Sequence, residues 1–370
     1  MKVLYFSRDY TTHDRRFLRA LAAAGHEVAY LRLERGPYAF ESRPLPPEVE
    51  IVRWAGGQGP ARRQDGPRLL RDLRRVLRQQ RPDVIQAGPI QTCAFLAALA
   101  GARPLVSTSW GSDLLKDAER SPLWRWATRY TLRRSDALVG DCEPVRQRAI
   151  HYGMAAERII TFPWGVELER FQPPAAPHDP ATFTLLSTRA WEPLYGVETV
   201  ARGFLLARAR LQAEGYDGLR LIMLGSGSLA GRLHGLIQAA GALDDVALPG
   251  QVSQEDLPRF HQMADLYISA SHSDGTSISL LEALATGRAV AVSDIPGNRE
   301  WIEAGEQGWF FPVDDAEALA ALIVAAVGDR ARLTACGAAA RQTAVARADW
   351  TRNFRQLLKA YDIARGNIGT

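Results

Sequence analysis

Two carboxylates and a small-residue turn stand together in one stretch of the chain: Asp274-Gly275-Thr276-Ser277, followed by Glu282. Ser277 is succeeded by a helical pattern, so the turn delivers free backbone N–H groups at a helix start. Such a terminus binds phosphate well, because unpaired amides and the helix dipole both favour an anion. Asp274 precedes this terminus and Glu282 lies in the early turns of the helix, so the chemistry on offer is recognition of a phosphate-bearing ligand flanked by carboxylates.

The elements around the stretch must position it. Leu266 to Ala270 is a short, mostly apolar run, the pattern of a buried parallel strand. Ile278, Leu280, Leu281 and Leu284 follow at helical spacing, with Gly287 as the expected C-terminal cap. Ala289 to Val292 is a second apolar run, leading to a loop with Pro296 and Gly297. Strand, loop, helix and strand make the βαβ unit of an open α/β sheet, whose ligands bind beyond the strand C-termini.

At 370 residues the chain suits two domains of similar size. Its 46% apolar and 23% charged residues are ordinary for a soluble globular protein. Cys93, Cys142 and Cys336 lie far apart without a CxxC or Cys/His cluster, which points to reduced, buried thiols in a cytoplasmic protein. The N-terminal MKVLYFSRDY reads as a strand rather than a leader, and no apolar run reaches membrane-spanning length. Charge is asymmetric: Met1 to Arg170 holds 28 Lys+Arg against 19 Asp+Glu, the remainder 17 against 22. A basic first half favours an anionic partner such as a lipid phosphate, a membrane surface or an acidic acceptor; arginine on solvated faces is the alternative. Nucleic acid is not among the expected partners.

The run SxSDGTSxSLLEAxAxG at 271–287 resembles the signature of retaining GT-B glycosyltransferases of the family 4 type, whose hallmark is E-x7-E; here the first acid is Asp274. Further resemblances follow along the chain. STRAWEPLYGV at 187–197 is similar to the family's "GRLxxxKG", in which an Arg and a Lys hold the donor diphosphate; Arg189 matches, and Tyr195 stands at the lysine position. Gly225 and Gly227 match a "GxG" after the second strand, and VALPGQV, ending at Val252, resembles the segment whose backbone meets the nucleobase. Ile159 to Phe171 resembles the "PxGV(D/E)xxxF" hinge.

The resemblance implies two Rossmann-like parallel-sheet domains facing each other across a cleft that holds the site. The expected limits are 1–172 for the acceptor-side domain, 173–182 for a Pro-rich linker, 183–347 for the nucleotide-sugar domain, and a last helix within 348–370 that crosses back. It implies sugar transfer with retention from a nucleotide-sugar, UDP- or GDP-linked, to a glycan, lipid-linked or small-molecule acceptor. No cofactor is expected beyond this co-substrate. No D-x-D triplet or His/carboxylate cluster suggests a cation, so catalysis is expected to be metal-independent, with the departing phosphate taking the acceptor proton. Arg189 and the amides of Gly275, Thr276 and Ser277 would hold the diphosphate, Ser279 would add a donor contact, Glu282 would accept from the ribose hydroxyls, and Asp274 would reach a donor-sugar hydroxyl.

In the first domain the loop after the first strand, SRDYTTHDRRF, has no glycine, so His13 with Arg15 and Arg16 would substitute side-chain donors for backbone ones, or simply decorate the helix start. In SWGSDLL, Trp110 stands where the family often has His; it can wall a sugar site but cannot be a general base. Asp113 is either a hydroxyl-binding acid or a helix cap. Two basic amphipathic stretches, 68–80 and 124–134, are expected to pack one face on the core, with peripheral membrane contact as the further reading. Tyr195 removes one positive charge from the leaving-group site; Arg288, Arg299 or Arg15 would compensate. Otherwise the chain would be a catalytically silent partner of another glycosyltransferase. A dehydrogenase reading has only the generic α/β pattern, without GxGxxG.

Overall fold

In a computed structural model of the protein, residues 1–34, 41, 43–176 and 179–366 are described. Residues 35–40 and 42, residues 177–178 of the expected linker and the last four residues lie outside them. The chain divides into two compact units: Met1–Phe162 with the chain from Phe354 onward, and Pro163–Asn353.

The first unit carries seven parallel strands: β1 (Lys2–Arg8), β2 (Glu27–Leu33), β3 (Val49–Ile51), β4 (Val84–Gly88), β5 (Leu105–Thr108), β6 (Ala137–Gly140) and β7 (Ile159–Thr161). Their order is β3-β2-β1-β4-β5-β6-β7, so the winding reverses between β1 and β4. The helix Gly66–Gln80 lays Leu69, Leu73 and Val76 on one face of this sheet, against Leu4, Phe6, Leu31 and Ile85. The last helix, Trp350–Ala364, ends in this unit, where Tyr361 donates to Gln86 on β4.

The second unit carries six: β8 (Phe183–Ser187), β9 (Leu219–Leu224), β10 (Val246–Gly250), β11 (Leu266–Ser269), β12 (Ala289–Ser293) and β13 (Gly308–Phe311). They are parallel in the order β10-β9-β8-β11-β12-β13, reversing between β8 and β11. Strand alternation splits the core into two layers. Leu185, Leu266, Ile268, Ala289 and Ala291 face one, with Val197, Phe204 and Leu319; Leu186, Tyr267, Val290 and Val292 face the other, with Leu280, Leu281 and Leu284. Two Rossmann-like parallel sheets are thus present, as the sequence pattern implies.

Residues 163–172, expected in the first domain, pack in the second unit. Val166 donates to Ala348 O and accepts from Trp350 N, at 2.7 and 3.1 Å, and Phe171 enters the core beside Tyr267. Gly165 has φ +72°, and a Cβ there would come within 2.5 Å of Ala348 O. Glycine is what permits this close crossing.

Candidate active site

The structure gathers the sequence-derived residues into two groups, one in each unit. In the second, the loop after β8 and the loop after β11 emerge side by side at the reversal of strand order, where open α/β sheets bind ligands. Arg189, on the first loop, donates from Nη2 to Asp274 Oδ2 at 2.6 Å and from Nη1 to Ser277 Oγ at 2.8 Å, both on the second. Asp274 Oδ1 accepts from Gly275 N, and Ser277 caps the helix Ile278–Ala285 by accepting from Leu280 N. That helix ends in a Schellman turn, Arg288 N to Ala283 O and Gly287 N to Leu284 O, with Gly287 at φ +66°.

The Arg189 side chain is 10% exposed. Burial works against its charge, but Asp274 foremost, then Tyr195 and Tyr267, hold its pKa above the ordinary value. Its Cζ sits 4.2 Å from the Tyr195 ring centroid, a close cation–π contact. Its buried Nε has no hydrogen-bond partner among the described residues. A buried N–H without an acceptor is costly, and a phosphate oxygen would satisfy it.

The two glycines of the GSG turn serve this loop. Gly225 and Gly227 have φ +127° and +159°, and Cβ atoms there would strike Arg189 O at 2.5 Å and Trp191 O at 2.4 Å. Trp191 N donates to Ser226 O, and Ser228 donates through both N and Oγ to the Glu192 carboxylate. The missing side chains make room for the backbone that carries Arg189. Thr276 is buried in the loop itself, and Val252, after β10, packs partly buried against the core layer of Leu280 and Leu284.

Glu282 is 6% exposed. Tyr267 on β11, wholly buried, lies within electrostatic reach of both Arg189 and Glu282; burial foremost pushes its phenol up. Tyr267 and His261 carry no spacing signal in the sequence. His261, on the short helix Leu257–Met263, points Nε2 at Glu282 Oε2 from 3.6 Å.

The arginines expected to offset Tyr195 are engaged elsewhere. Arg288 donates to the carbonyls of Ala264 and Thr286, beyond the C-terminus of the helix whose N-terminus forms the site. Arg299 makes a two-pronged pair with Asp294, at 2.5 and 2.7 Å. Arg15 donates to Pro44 O.

In the first unit, His13 and Trp110 come together, their ring centroids 5.6 Å apart, with Phe17 edge-on to Trp110. Burial, then the charge of Arg16, pulls the His13 imidazole down to about 4, so it is neutral at pH 7. Asp113 is buried and accepts four hydrogen bonds, from Ser109 Oγ, Trp110 N, Leu114 N and Ile90 N. Burial pushes its carboxyl up, and those bonds oppose the shift. The carboxylate is committed to its own loop and to the backbone that bears Trp110.

Among the described residues no three His, Cys, Asp or Glu side chains converge as metal ligands, and no helix is long and apolar enough to cross a membrane. Cys93, Cys142 and Cys336 are buried.

Residues 183–343 match the glycosyl transferases group 1 family, and residues 11–170 match Glycosyltransferase Family 4. The chain is 25% identical over 327 residues to a GDP-mannose-dependent alpha-(1-6)-phosphatidylinositol monomannoside mannosyltransferase of Mycobacterium tuberculosis, covering 81% of this chain and 82% of that one. In fold it is similar to sucrose-phosphate synthase from Thermosynechococcus elongatus (TM-score 0.80, 18% identity, 98% of each chain). It is similar also to Anabaena HepE in complex with UDP-glucose (TM-score 0.77, 18% identity, 97% of this chain and 98% of that one). The chain belongs to the family 4-type GT-B glycosyltransferases, and it is a nucleotide-sugar-dependent hexosyltransferase.

Proposed function

We propose that the chain transfers a hexose from a UDP- or GDP-sugar to a hydroxyl of a glycan, lipid-linked or small-molecule acceptor, with retention and without a metal ion. The observation that carries this is the Arg189 guanidinium: buried, joined to Asp274 and Ser277, and left with an unpartnered Nε beside a helix N-terminus. Charge develops on the diphosphate as the sugar–oxygen bond breaks. Fixed donors there, the Arg189 N–H groups and the amides of Gly275 to Ser277, stabilise the transition state more than the ground state.

Glu282 accepts from the ribose hydroxyls, and Asp274 from a hydroxyl of the donor sugar. Ser279 and the backbone near Val252 complete the donor contacts. The acceptor oxygen forms its bond to the anomeric carbon on the face the phosphate leaves, and its proton passes to the departing phosphate oxygen. Trp110 offers an apolar wall to a sugar, and His13 beside it a neutral hydrogen-bonding ring. Asp113 acts by setting the Trp110 loop. The protein works in the cytoplasm. The arginine face of the helix Gly66–Gln80, which with Arg53 lines a pocket of about 590 Å³, meets the anionic inner surface of the membrane.

Thermal shift against UDP-, GDP-, ADP- and dTDP-sugars tests the reading and names the base. A rise in melting temperature with one base, together with slow donor hydrolysis by the purified chain, is expected. No shift with any of the four would overturn it, and binding without hydrolysis or transfer would mark a silent partner instead.

A further inference from the structure

We propose that His261 is a positioning residue for nucleotide-sugar binding, holding the Glu282 carboxylate in the orientation that accepts the ribose hydroxyls. The inference rests on the reading of Glu282 as the ribose acceptor. His261 is 0% exposed, with its ring stacked on Tyr267 (centroids 5.8 Å apart, planes at 24°) and edge-on to Phe171 (5.8 Å, 83°). That packing fixes the imidazole in one plane. Its Nε2 is 3.6 Å from Glu282 Oε2, and among the described residues no other cationic side chain lies within 4 Å of that carboxylate. Among the described residues neither ring nitrogen has a hydrogen-bond partner, though both are buried.

Such a group is expensive where it stands. A leucine would fill the space without leaving two polar atoms unsatisfied. Among the described residues Glu282 is the carboxylate that His261 faces, and the distance is about half an ångström beyond a hydrogen bond. A carboxylate that turns to take two ribose hydroxyls on its outer lone pairs still has an inner lone pair to place. The Nε2–H of His261, present in the charged ring and in the Nε2-protonated neutral tautomer, is positioned to meet it. The short helix Leu257–Met263 and the helix Ile278–Ala285 flank β11 in the same core layer, so donor binding is coupled to a pairing inside the protein.

The test compares His261→Leu, which approximates the volume, His261→Phe, which keeps the ring stack, and His261→Gln, which restores an N–H. Affinity for the free nucleoside diphosphate, KM and kcat are measured, each with ribose and with 2′-deoxyribose nucleotides. Losing a hydrogen bond to a charged group predicts about a tenfold rise in KM and in nucleotide Kd for the Leu and Phe variants, with kcat within about twofold. Their preference for ribose over 2′-deoxyribose should shrink by a similar factor, and His261→Gln should recover most of it. In a Glu282→Gln background the His261 substitutions should add nothing. Wild-type binding with full ribose preference in either donor-free variant would overturn the proposal, as would an equal loss in the Glu282→Gln background. Should Leu and Phe both fail to fold, a His261→Gln variant that folds yet shows an undiminished tenfold loss also overturns it. Absence of nucleotide binding by the wild-type chain would instead sink the underlying reading of Glu282.

Discussion

Arg189 Nη2 lies 2.6 Å from Asp274 Oδ2, although the two residues are 85 positions apart. The same guanidinium holds Ser277, so one side chain pins both ends of the 274–277 turn. The cation assigned to the diphosphate thus also shapes the backbone that would help bind it.

Arg189→Ala should therefore do double damage. Loss of a transition-state donor costs about 10²–10³ in kcat. The partly buried Asp274 carboxylate left behind costs about 1–3 kcal/mol of stability, visible as a lower melting temperature. Arg189→Lys keeps the charge but cannot span Asp274 and Ser277 together, so its turnover should fall between Ala and wild type. Steady-state kinetics within twofold of wild type for both variants would remove Arg189 from the site.

Asp274→Asn separates the acid's two roles. Removing the charge frees Arg189 for the diphosphate, so free UDP or GDP should bind about fivefold to tenfold tighter, worth about 1–1.4 kcal/mol. Transfer should nevertheless slow, because the carboxylate proposed to accept from the donor sugar is gone. Calorimetry of the nucleotide beside turnover of the sugar donor checks the split; weaker nucleotide binding would contradict it.

The sheet strands and the site loop were legible because their signals are local. Ala137–Gly140 and Phe183–Ser187 are apolar runs bounded by polar residues, and both strands begin and end at those limits. The helix Val197–Ala213 is less legible because it is buried on several sides and carries Gly203, where a Cβ would meet Leu319 at 2.7 Å. Neither feature leaves a clean amphipathic period. Strand β13, Gly-Trp-Phe-Phe, opens on a glycine that the carbonyl of Val290 requires, and its four residues are too few to show a period. At the site, the residue types were readable, but the partnerships of Arg189 with Ser277 and of His261 with Glu282 are made by packing across strands. The commitments of Arg288 and Arg299 were equally hidden, since one is made to carbonyls past a helix C-terminus and the other to the Asp294 carboxylate across a turn.

Tyr195→Lys tests the departure from the family pattern. The phenol ring now covers Arg189 at 4.2 Å, a cation–π contact worth about 1–2 kcal/mol when desolvated. A lysine would replace that attraction with like-charge repulsion, so the nucleotide-free protein should melt lower. Nucleotide should reverse the loss, since two cations then share one diphosphate, and the melting-temperature rise on adding nucleotide should exceed that of wild type. Tyr195→Phe keeps the ring face and should behave as wild type in both measurements.

Asp14 sets a pH dependence in the first unit. Its carboxylate is buried, accepts from Tyr5 OH, Thr11 N and Thr11 Oγ, and forms the capping box of the helix Thr12–Ala23. Burial, only partly offset by these bonds, raises its pKa from 3.8 to about 6. The folded state therefore binds the proton more tightly than the unfolded one. Its stabilising contribution is complete below pH 3.8 and is lost as pH rises to about 6, a change of up to about 3 kcal/mol. Asp14→Asn cannot titrate, so the difference in stability, wild type minus variant, should fall between pH 4 and 6.5 and stay flat above. Hydrogen exchange of the Thr12–Ala23 amides across that range reads this locally, without assuming that two units unfold as one. A difference that is level or rising through the window would show that the carboxylate is already ionised at pH 4.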